Sequence, residues 1–273
     1  MIVFSPFLLL LIDNFLSVFI GLSSIFILMR AYSAYLHKAG KNINTIYYIF
    51  FAPELLTGPF RSYSQWKPLR IDTGKLSISL GVILNRIIII LVSGIIYTKL
   101  TGHIDQNFLA VLIAYITLYA QFASISDIVN QLSALFGQAK IKNFSKPLLA
   151  NSITDFWDRW HISLGYFVKT HLSQPMSFYL TKKGLDKKLS FFSSVIFSFI
   201  FVGLWHNYSL EYFLFGFYFG CIVFIERTYL SSFFKKIQNI KYGLYFCIAY
   251  TQILHIIAFS FVFEYVDSIL VKI

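Results

Sequence analysis

Residues 190–206 read SFFSSVIFSFIFVGLWH, a run without a single lysine, arginine, aspartate or glutamate. A helix needs about 20 apolar residues to cross the hydrocarbon core of a bilayer. We therefore predict a membrane-spanning helix here, and comparable runs along the chain predict five more. The six predicted spans are residues 5–29, 78–98, 108–129, 190–206, 210–226 and 243–264.

Composition supports the same conclusion for the 273 residues as a whole, of which 57% are hydrophobic and only 13% are charged. A soluble domain has about 25% charged residues. The formal net charge of +11 comes from loops between the apolar runs, where it suits anionic lipid headgroups rather than nucleic acid. The sequence predicts an all-α, multi-pass membrane protein with a single membrane domain over residues 1–273.

Two apolar stretches, residues 45–60 and 152–170, are too broken to span the membrane. The first contains Pro53 and Pro59, and the second contains several ionisable residues. Polar or non-helical backbone is tolerated at membrane depth only where it is buried in protein or lines a cavity. We expect both stretches to form short re-entrant or interfacial helices.

The distribution of lysine and arginine predicts the orientation. Twenty of the 23 basic residues lie in three loops that fall on one side of the membrane, at residues 30–77, 138–188 and 227–241. Loops rich in Lys and Arg stay on the cytoplasmic side. The N-terminus should therefore lie outside, and His206 should lie towards the outer face.

The histidine that ends the quoted run, His206, follows Trp205 and precedes Asn207. An ionisable group at membrane depth is costly unless it faces a polar cavity, so it is a functional candidate by default. A neutral imidazole can take the proton of a hydroxyl as that hydroxyl attacks a thioester carbonyl. Asn207 could then donate a hydrogen bond to the oxyanion. The alternative is an interfacial histidine that is wetted from outside.

A second histidine, His161, lies within SITDFWDRWHISL at residues 152–164. The apolar residues of this stretch recur at three- and four-residue spacing, and Ser152 can cap the first turn. We therefore predict one amphipathic helix over residues 152–170. The alternative is an interfacial helix that tryptophan and charge anchor at the headgroups.

Charged side chains on this predicted helix have natural partners. Asp155 and Arg159 are four residues apart and can form an ion pair. Asp158 lies three residues before His161, so its carboxylate can orient the imidazole.

Two further ionisable residues lie within predicted spans. His255 is in mid-span, where a core histidine bonded to a backbone carbonyl is the favoured interpretation. Asp127 is a lone carboxylate near the cytoplasmic end of the third span, so it needs a partner, which Arg159 or Lys142 could supply.

Four blocks of sequence resemble the membrane-bound O-acyltransferase family, and in particular the bacterial branch of alginate O-acetyltransferases and the D-alanyl transfer protein of teichoic acids. They occur in the family's order and predict an acyltransferase-like core over about residues 45–230. The blocks are FAPELLTGP at 51–59, YAQFASISDI at 119–128, FSKP at 144–147 with ITDFWDRWHISL at 153–164, and GLWH at 203–206.

The resemblance implies roles for particular residues. His206 matches the catalytic histidine, which activates the acceptor hydroxyl, and His161 matches the second characteristic histidine, towards the cytoplasmic donor side. The family fold implied is a ring of tilted helices around a tunnel, although this chain begins closer to the Pro53 block than is usual and is expected to be N-terminally short. Supporting or substrate-binding roles are implied for Trp205, Asn207, Trp160, Asp158, Arg159 and Asp127.

The implied function is transfer of an acyl group, with acetyl favoured, to a hydroxyl of an envelope or exported polysaccharide at the bacterial inner membrane. The donor would be a cytoplasmic thioester, either acyl-CoA or an acyl carrier protein, and no bound cofactor or metal is expected. An extracytoplasmic transferase is a further possible partner. The alternatives are a non-catalytic or truncated acyl-relay subunit serving such a transferase, and a D-alanyl transfer protein for teichoic acid.

Overall fold

The structure is a computed structural model that describes residues 15–55, 58–71, 74, 76–101, 108–240 and 242–263, with side chains from residue 26 onwards except at 77, 101 and 108. Every regular element within these ranges is helical. The α-helices are α1 (Phe15–Leu36), α2 (Ile43–Ile49), α3 (Leu76–Thr101), α4 (Phe108–Leu135), α5 (Ile153–Arg159), α6 (Ile162–Val168), α7 (Gln174–Lys182), α8 (Lys187–His206), α9 (Leu210–Ile225), α10 (Ser231–Gln238) and α11 (Gly243–Ser260).

Five described segments are long and apolar enough to cross a membrane, which confirms a multi-pass helical membrane protein. They match five of the six predicted spans to within a few residues at most ends, although α4 and the fourth segment continue well beyond the predicted ends. The predicted span 5–29 begins outside the described residues, and its described part lies in α1. The five segments are Ile78–Leu100, Leu109–Leu135, Lys187–His206, Leu210–Gln238 and Gly243–Ser260.

The chain folds as two compact units. Of the residues that the structure describes, the first unit comprises those within 15–101 and 116–143, and the second comprises those within 108–115 and 144–263. Both candidate histidines therefore belong to the second unit. The single membrane domain expected from the sequence stays a prediction.

A buried charge cluster organises the first unit around the broken stretch 45–60. The Glu54 carboxylate accepts hydrogen bonds from Arg30 and from Arg61, whose Nη2 lies 2.8 Å from Oε1, and all three residues are fully buried. Arg30 also donates to the backbone carbonyl of Tyr48 at 2.7 Å. Buried charges are tolerated when they are paired and hydrogen-bonded in this way. The stretch itself forms α2 and a short 3₁₀ turn rather than a span, as predicted.

In the second unit, α8 and α9 pack closely because glycines lie at their contact. A Cβ atom built on Gly203 would come within 2.3 Å of the Tyr212 carbonyl oxygen, and one on Gly216 would come within 2.4 Å of the Phe199 carbonyl oxygen. Small residues allow helix backbones in membranes to approach in this way. The contact fixes the last turn of α8, where His206 lies.

The core of the second unit joins four helices around the aromatic side chain of Phe219, which is 1% exposed. Trp157 of α5 packs against it with ring centroids 5.0 Å apart, and against Phe199 of α8 at 5.3 Å. Helix α5 is thus held by apolar contact with α8, which carries His206, and with the neighbouring helix α9. The fully buried members of this core are Ile153, Val195, Phe219, Val223 and Ala258.

Candidate active site

His161 lies at a sharp break between two short helices. Helix α5 ends at Arg159, Trp160 is extended, and His161 adopts a left-handed backbone conformation with φ 44° and ψ 51° before α6 begins. The predicted single helix over 152–170 is therefore wrong. A non-glycine residue in this region is strained, and such strain persists only where the surroundings impose it, often at functional sites.

Aromatic neighbours surround the break. The His161 side chain is buried, and its ring lies 6.3 Å from that of Phe144 between centroids. The Trp160 ring stacks on Phe156 at 5.4 Å and meets Phe144 edge-on at 5.2 Å. The break therefore places both the indole of Trp160 and the imidazole of His161 against the ring of Phe144.

The start of α5 is capped from two directions. Ser152 Oγ accepts the Asp155 backbone N–H at 3.0 Å, which confirms the predicted cap. The Glu226 carboxylate accepts the N–H groups of Ile153 at 3.0 Å and Thr154 at 2.8 Å. A carboxylate at a helix N-terminus satisfies orphan donors and opposes the helix dipole. Sequence reasoning missed Glu226, although an acidic residue directly after an apolar span was a usable signal.

The charged side chains of α5 pair as follows. Asp155 and Arg159 form the predicted ion pair at 2.8 Å. The Asp158 carboxylate is largely exposed and lies 3.8 Å from the Arg227 guanidinium. Helix α5 ends between Asp158 and His161, so the two residues do not share one helical turn, and the orienting role of Asp158 stays a prediction.

His206 is the last residue of α8 and is exposed. Its ring stacks on Trp205 with centroids 5.1 Å apart and lies 6.2 Å from the ring of Tyr212 on α9. The backbone N–H of Asn207 donates to the Gly203 carbonyl at 3.4 Å, so only its side chain remains as a possible oxyanion donor.

The two candidate histidines lie close enough to influence each other electrostatically. Burial lowers the pKa of His161 to about 3, and the nearby His206 contributes to that lowering. His161 is therefore neutral at physiological pH. The site thus combines a buried imidazole that stays neutral with an exposed imidazole, and a neutral imidazole can both donate and accept hydrogen bonds.

The remaining predicted residues have the following positions. His255 is buried, and its Nδ1 lies 2.9 Å from the Thr251 carbonyl oxygen, which confirms the predicted core histidine. Asp127 belongs to the first unit and pairs with Arg86 at 2.7 Å. The predicted partners Arg159 and Lys142 were wrong. Arg86 is the physical choice because it lies within a span, where a cation also needs a counter-charge.

The fold and the site define the class of protein: a multi-pass helical membrane protein in which a buried, neutral histidine lies near an exposed one. The sequence pattern of the membrane-bound O-acyltransferase family matches residues 14–262. The chain belongs to this family. The family assignment made from the four sequence blocks is confirmed.

Curated relatives carry names that agree with this family. The chain is 26% identical over 208 residues to the teichoic acid D-alanyltransferase of Bacillus subtilis, covering 67% of this chain and 52% of the relative. It is 32% identical over 112 residues to a probable alginate O-acetylase of Pseudomonas fluorescens, covering 41% and 21%. It is 26% identical over 200 residues to the peptidoglycan O-acetyltransferase of Helicobacter pylori, covering 67% and 37%. The chain thus spans about half the length of the first relative and less of the others.

Proposed function

We propose that the protein transfers an acyl group, with acetyl favoured, from a cytoplasmic thioester to a hydroxyl of an envelope or exported polysaccharide. The observation that carries this proposal is the pair formed by buried His161 and exposed His206 within one unit of a protein of this family. Relatives named for alginate, peptidoglycan and teichoic acid support a polymeric envelope acceptor.

The chemistry assigned to His206 is general base catalysis. Its neutral imidazole accepts the proton of the acceptor hydroxyl while the hydroxyl oxygen bonds to the thioester carbonyl carbon. The carbon–sulfur bond then breaks, and the leaving sulfur takes that proton from the imidazolium, so the products are an ester and a thiol. A positioned base of this kind contributes about 10²–10⁴-fold in rate. The exposed position of His206 at the end of α8 suits contact with a substrate that arrives from outside the fold.

His161 has a different role in this proposal. Because it is buried and neutral, it can donate or accept a hydrogen bond without carrying charge. We assign it to the thioester side of the reaction, where acyl-CoA or an acylated carrier protein would be held. Alignment of thioester and hydroxyl, rather than a second proton transfer, would be its contribution.

The proposed orientation follows from charge. Twenty of 23 basic residues lie in loops at 30–77, 138–188 and 227–241, which we assign to the cytoplasmic face of the bacterial inner membrane. The N-terminus then lies outside. Anionic lipid headgroups and the cytoplasmic donor are the partners on the basic side, and an extracytoplasmic transferase is the partner considered on the other.

D-alanyl transfer to teichoic acid is the second candidate function. The match to the Bacillus subtilis teichoic acid D-alanyltransferase, which covers 67% of this chain, is the observation that favours it. The same two histidines would serve, because a D-alanyl thioester presents the same carbonyl to the acceptor hydroxyl.

Mass spectrometry of ester-linked groups released by mild alkali from the envelope polymers tests both candidates. Cells with the gene, without it, and with His206→Ala are compared at equal protein level. Gene-dependent acetate supports the first function, and gene-dependent D-alanine supports the second. Ester content that is the same in all three strains contradicts both.

A further inference from the structure

Three buried polar groups in the aromatic core of the second unit lack partners among the described residues: Trp157 Nε1, Gln252 Nε2 and His255 Nε2. Leaving a buried donor or acceptor unsatisfied is costly, so native proteins rarely tolerate it. Three such groups in one cluster therefore point to a ligand rather than to three independent defects.

The three groups converge around one set of rings. His255 lies against Phe156 with centroids 3.6 Å apart, and its ring is 6.3 Å from Trp157. The Tyr115 ring stacks on His255 with centroids 6.0 Å apart, and its hydroxyl donates a hydrogen bond to Gln252 Oε1 at 3.1 Å. The unmet groups of α5 and α11 thus belong to side chains that border the same set of packed rings in the second unit.

The chemistry of each group determines whether it donates or accepts a hydrogen bond. The His255 Nδ1 lies 2.9 Å from the Thr251 carbonyl oxygen, which can only accept, so the proton of the neutral imidazole is on Nδ1. Its Nε2 is then a bare acceptor. The indole of Trp157 and the amide nitrogen of Gln252 can only donate. The site therefore needs a group that accepts from nitrogen and donates to nitrogen at once, which is a hydroxyl.

The size of the site selects among hydroxyls. The surrounding rings are closed to the outside, with Tyr115 3% exposed, Phe156 2% and Phe219 1%. One oxygen at about 2.9 Å from each of two nitrogens bridges a gap of about 4.5–5.8 Å between them. Water is the smallest molecule that carries a hydroxyl, and it brings no larger body into this packing. A buried water makes about three hydrogen bonds, the number of unmet groups here.

We propose that a buried water molecule bridges Trp157 Nε1 and His255 Nε2, with Gln252 Nε2 as a second donor to it, and that His255 is thereby a positioning residue for His161. The water ties α5 to α11. Trp157 lies in the last turn of α5, four residues before His161, so the bridge fixes the end of the helix that precedes the left-handed break. The positioning role rests on the proposed function, whereas the water site itself does not.

Nuclear magnetic resonance of the full chain in lipid nanodiscs, with ¹⁵N-labelled tryptophan indoles, tests the site directly. Trp157→Phe assigns the Trp157 resonance among the four indole N–H signals. We expect that N–H to show a cross-peak to a long-lived water in the wild-type protein. Absence of this cross-peak from the wild type overturns the proposal whatever the variants do.

Two substitutions of His255 distinguish loss of the Nε2 acceptor from loss of the imidazole ring as a whole. In His255→Gln the side-chain oxygen reaches the position of Nε2, so the water cross-peak should remain. In His255→Asn the side chain reaches only the position of Nδ1, so the cross-peak should disappear. Retention or loss in both variants contradicts the bridge. His37→Asn is the matched control, because His37 makes the same contact to a carbonyl four residues earlier, at 2.8 Å, in the first unit.

Kinetics test the positioning role. If His255 acts through α5, His255→Asn should lower kcat by about tenfold to a hundredfold with KM unchanged, since small misplacements cost rates of this size. His255→Gln should restore kcat to near the wild-type value. Equal kcat in both variants and wild type overturns the positioning role. If no form transfers acyl groups while the cross-peak is present, the proposed function fails and the water site stands.

Discussion

His161 and His206 have opposite environments, and this difference fits the roles proposed for them. His161 is 6% exposed and held in a left-handed backbone conformation, whereas His206 ends a helix and is exposed. A base that meets an external hydroxyl must be accessible, while a group that orients a donor benefits from burial and rigidity. The local environments thus support the same division of roles as the family resemblance.

Burial of His161 predicts a pH dependence of stability. Its pKa is lowered to about 3 in the folded state, below the ordinary value of 6.5. Above pH 6.5 it is neutral in both states, and as pH falls below 6.5 only the unfolded chain gains a proton, so stability is lost on acidification. Between pH 7 and pH 5, the free energy of unfolding of the wild type should fall by about 2 kcal/mol more than that of His161→Gln. Thermal unfolding at both pH values measures this, and an equal acid response in both proteins contradicts it.

Glu226→Ala should destabilise the start of α5. The substitution leaves the Ile153 and Thr154 N–H groups without their acceptor, which we expect to cost about 2–4 kcal/mol. Glu226→Gln keeps one side-chain oxygen that can accept from these N–H groups, so its free energy of unfolding should fall less. Denaturant or thermal unfolding in nanodiscs measures the difference. Glu211→Ala removes an exposed first-turn carboxylate of α9 and is the control, which should cost less than about 1 kcal/mol. A Glu226→Ala protein as stable as this control would show that the cap is unimportant.

At the scale of secondary-structure elements, the candidate site depends on two close packing contacts between helices. The α8–α9 contact through Gly203 and Gly216 places His206, and the core contact of α5 with α8 and α9 places the break at His161. Both contacts involve backbone or closely packed rings, so they cannot adjust by rotating a side chain. The geometry of the site should therefore respond to changes at residues that touch no substrate.

Gly203→Ala should disrupt the α8–α9 contact, because its Cβ would lie 2.3 Å from a backbone oxygen of α9. Overpacking of this kind costs about 1–3 kcal/mol and should also lower activity by moving His206. Gly81→Ala on α3 is the matched control, since a Cβ there meets nothing within 4 Å. Paired measurement of unfolding and acyl transfer checks this, and similar behaviour of the two variants argues against the packing account.

For the whole molecule, the sequence predicted the parts that depend on local composition. Apolar runs located five spans, and Ser152 and Asp155–Arg159 behave as their spacing indicated. The break at His161 was not predictable, because a left-handed residue within an amphipathic pattern is imposed by tertiary packing. The Arg86 partner of Asp127 and the Glu226 cap were missed for the same reason: each joins residues distant in sequence, and no local spacing reveals such pairs.

Membrane orientation gives a prediction for the whole molecule. Helix α8 should begin at the cytoplasmic face and end near the outer face, a rise of about 30 Å for 20 residues. Tyr208→Cys, at a residue 90% exposed, should react with a membrane-impermeant maleimide in intact cells. Lys183→Cys, just before α8, should react only after the membrane is permeabilised. The reverse pattern would invert the proposed topology and the donor and acceptor sides with it.

Transfer of a radiolabelled acetyl group from thioester to envelope polymer, measured in membranes that contain the full-length protein, tests the acyltransferase assignment most directly. We expect His206→Ala to reduce transfer by about 10²–10⁴-fold. The control, His37→Ala, replaces an exposed histidine of the first unit and should transfer at the wild-type rate at equal protein level. Transfer by His206→Ala at the wild-type rate would contradict the assignment of His206 as the catalytic base.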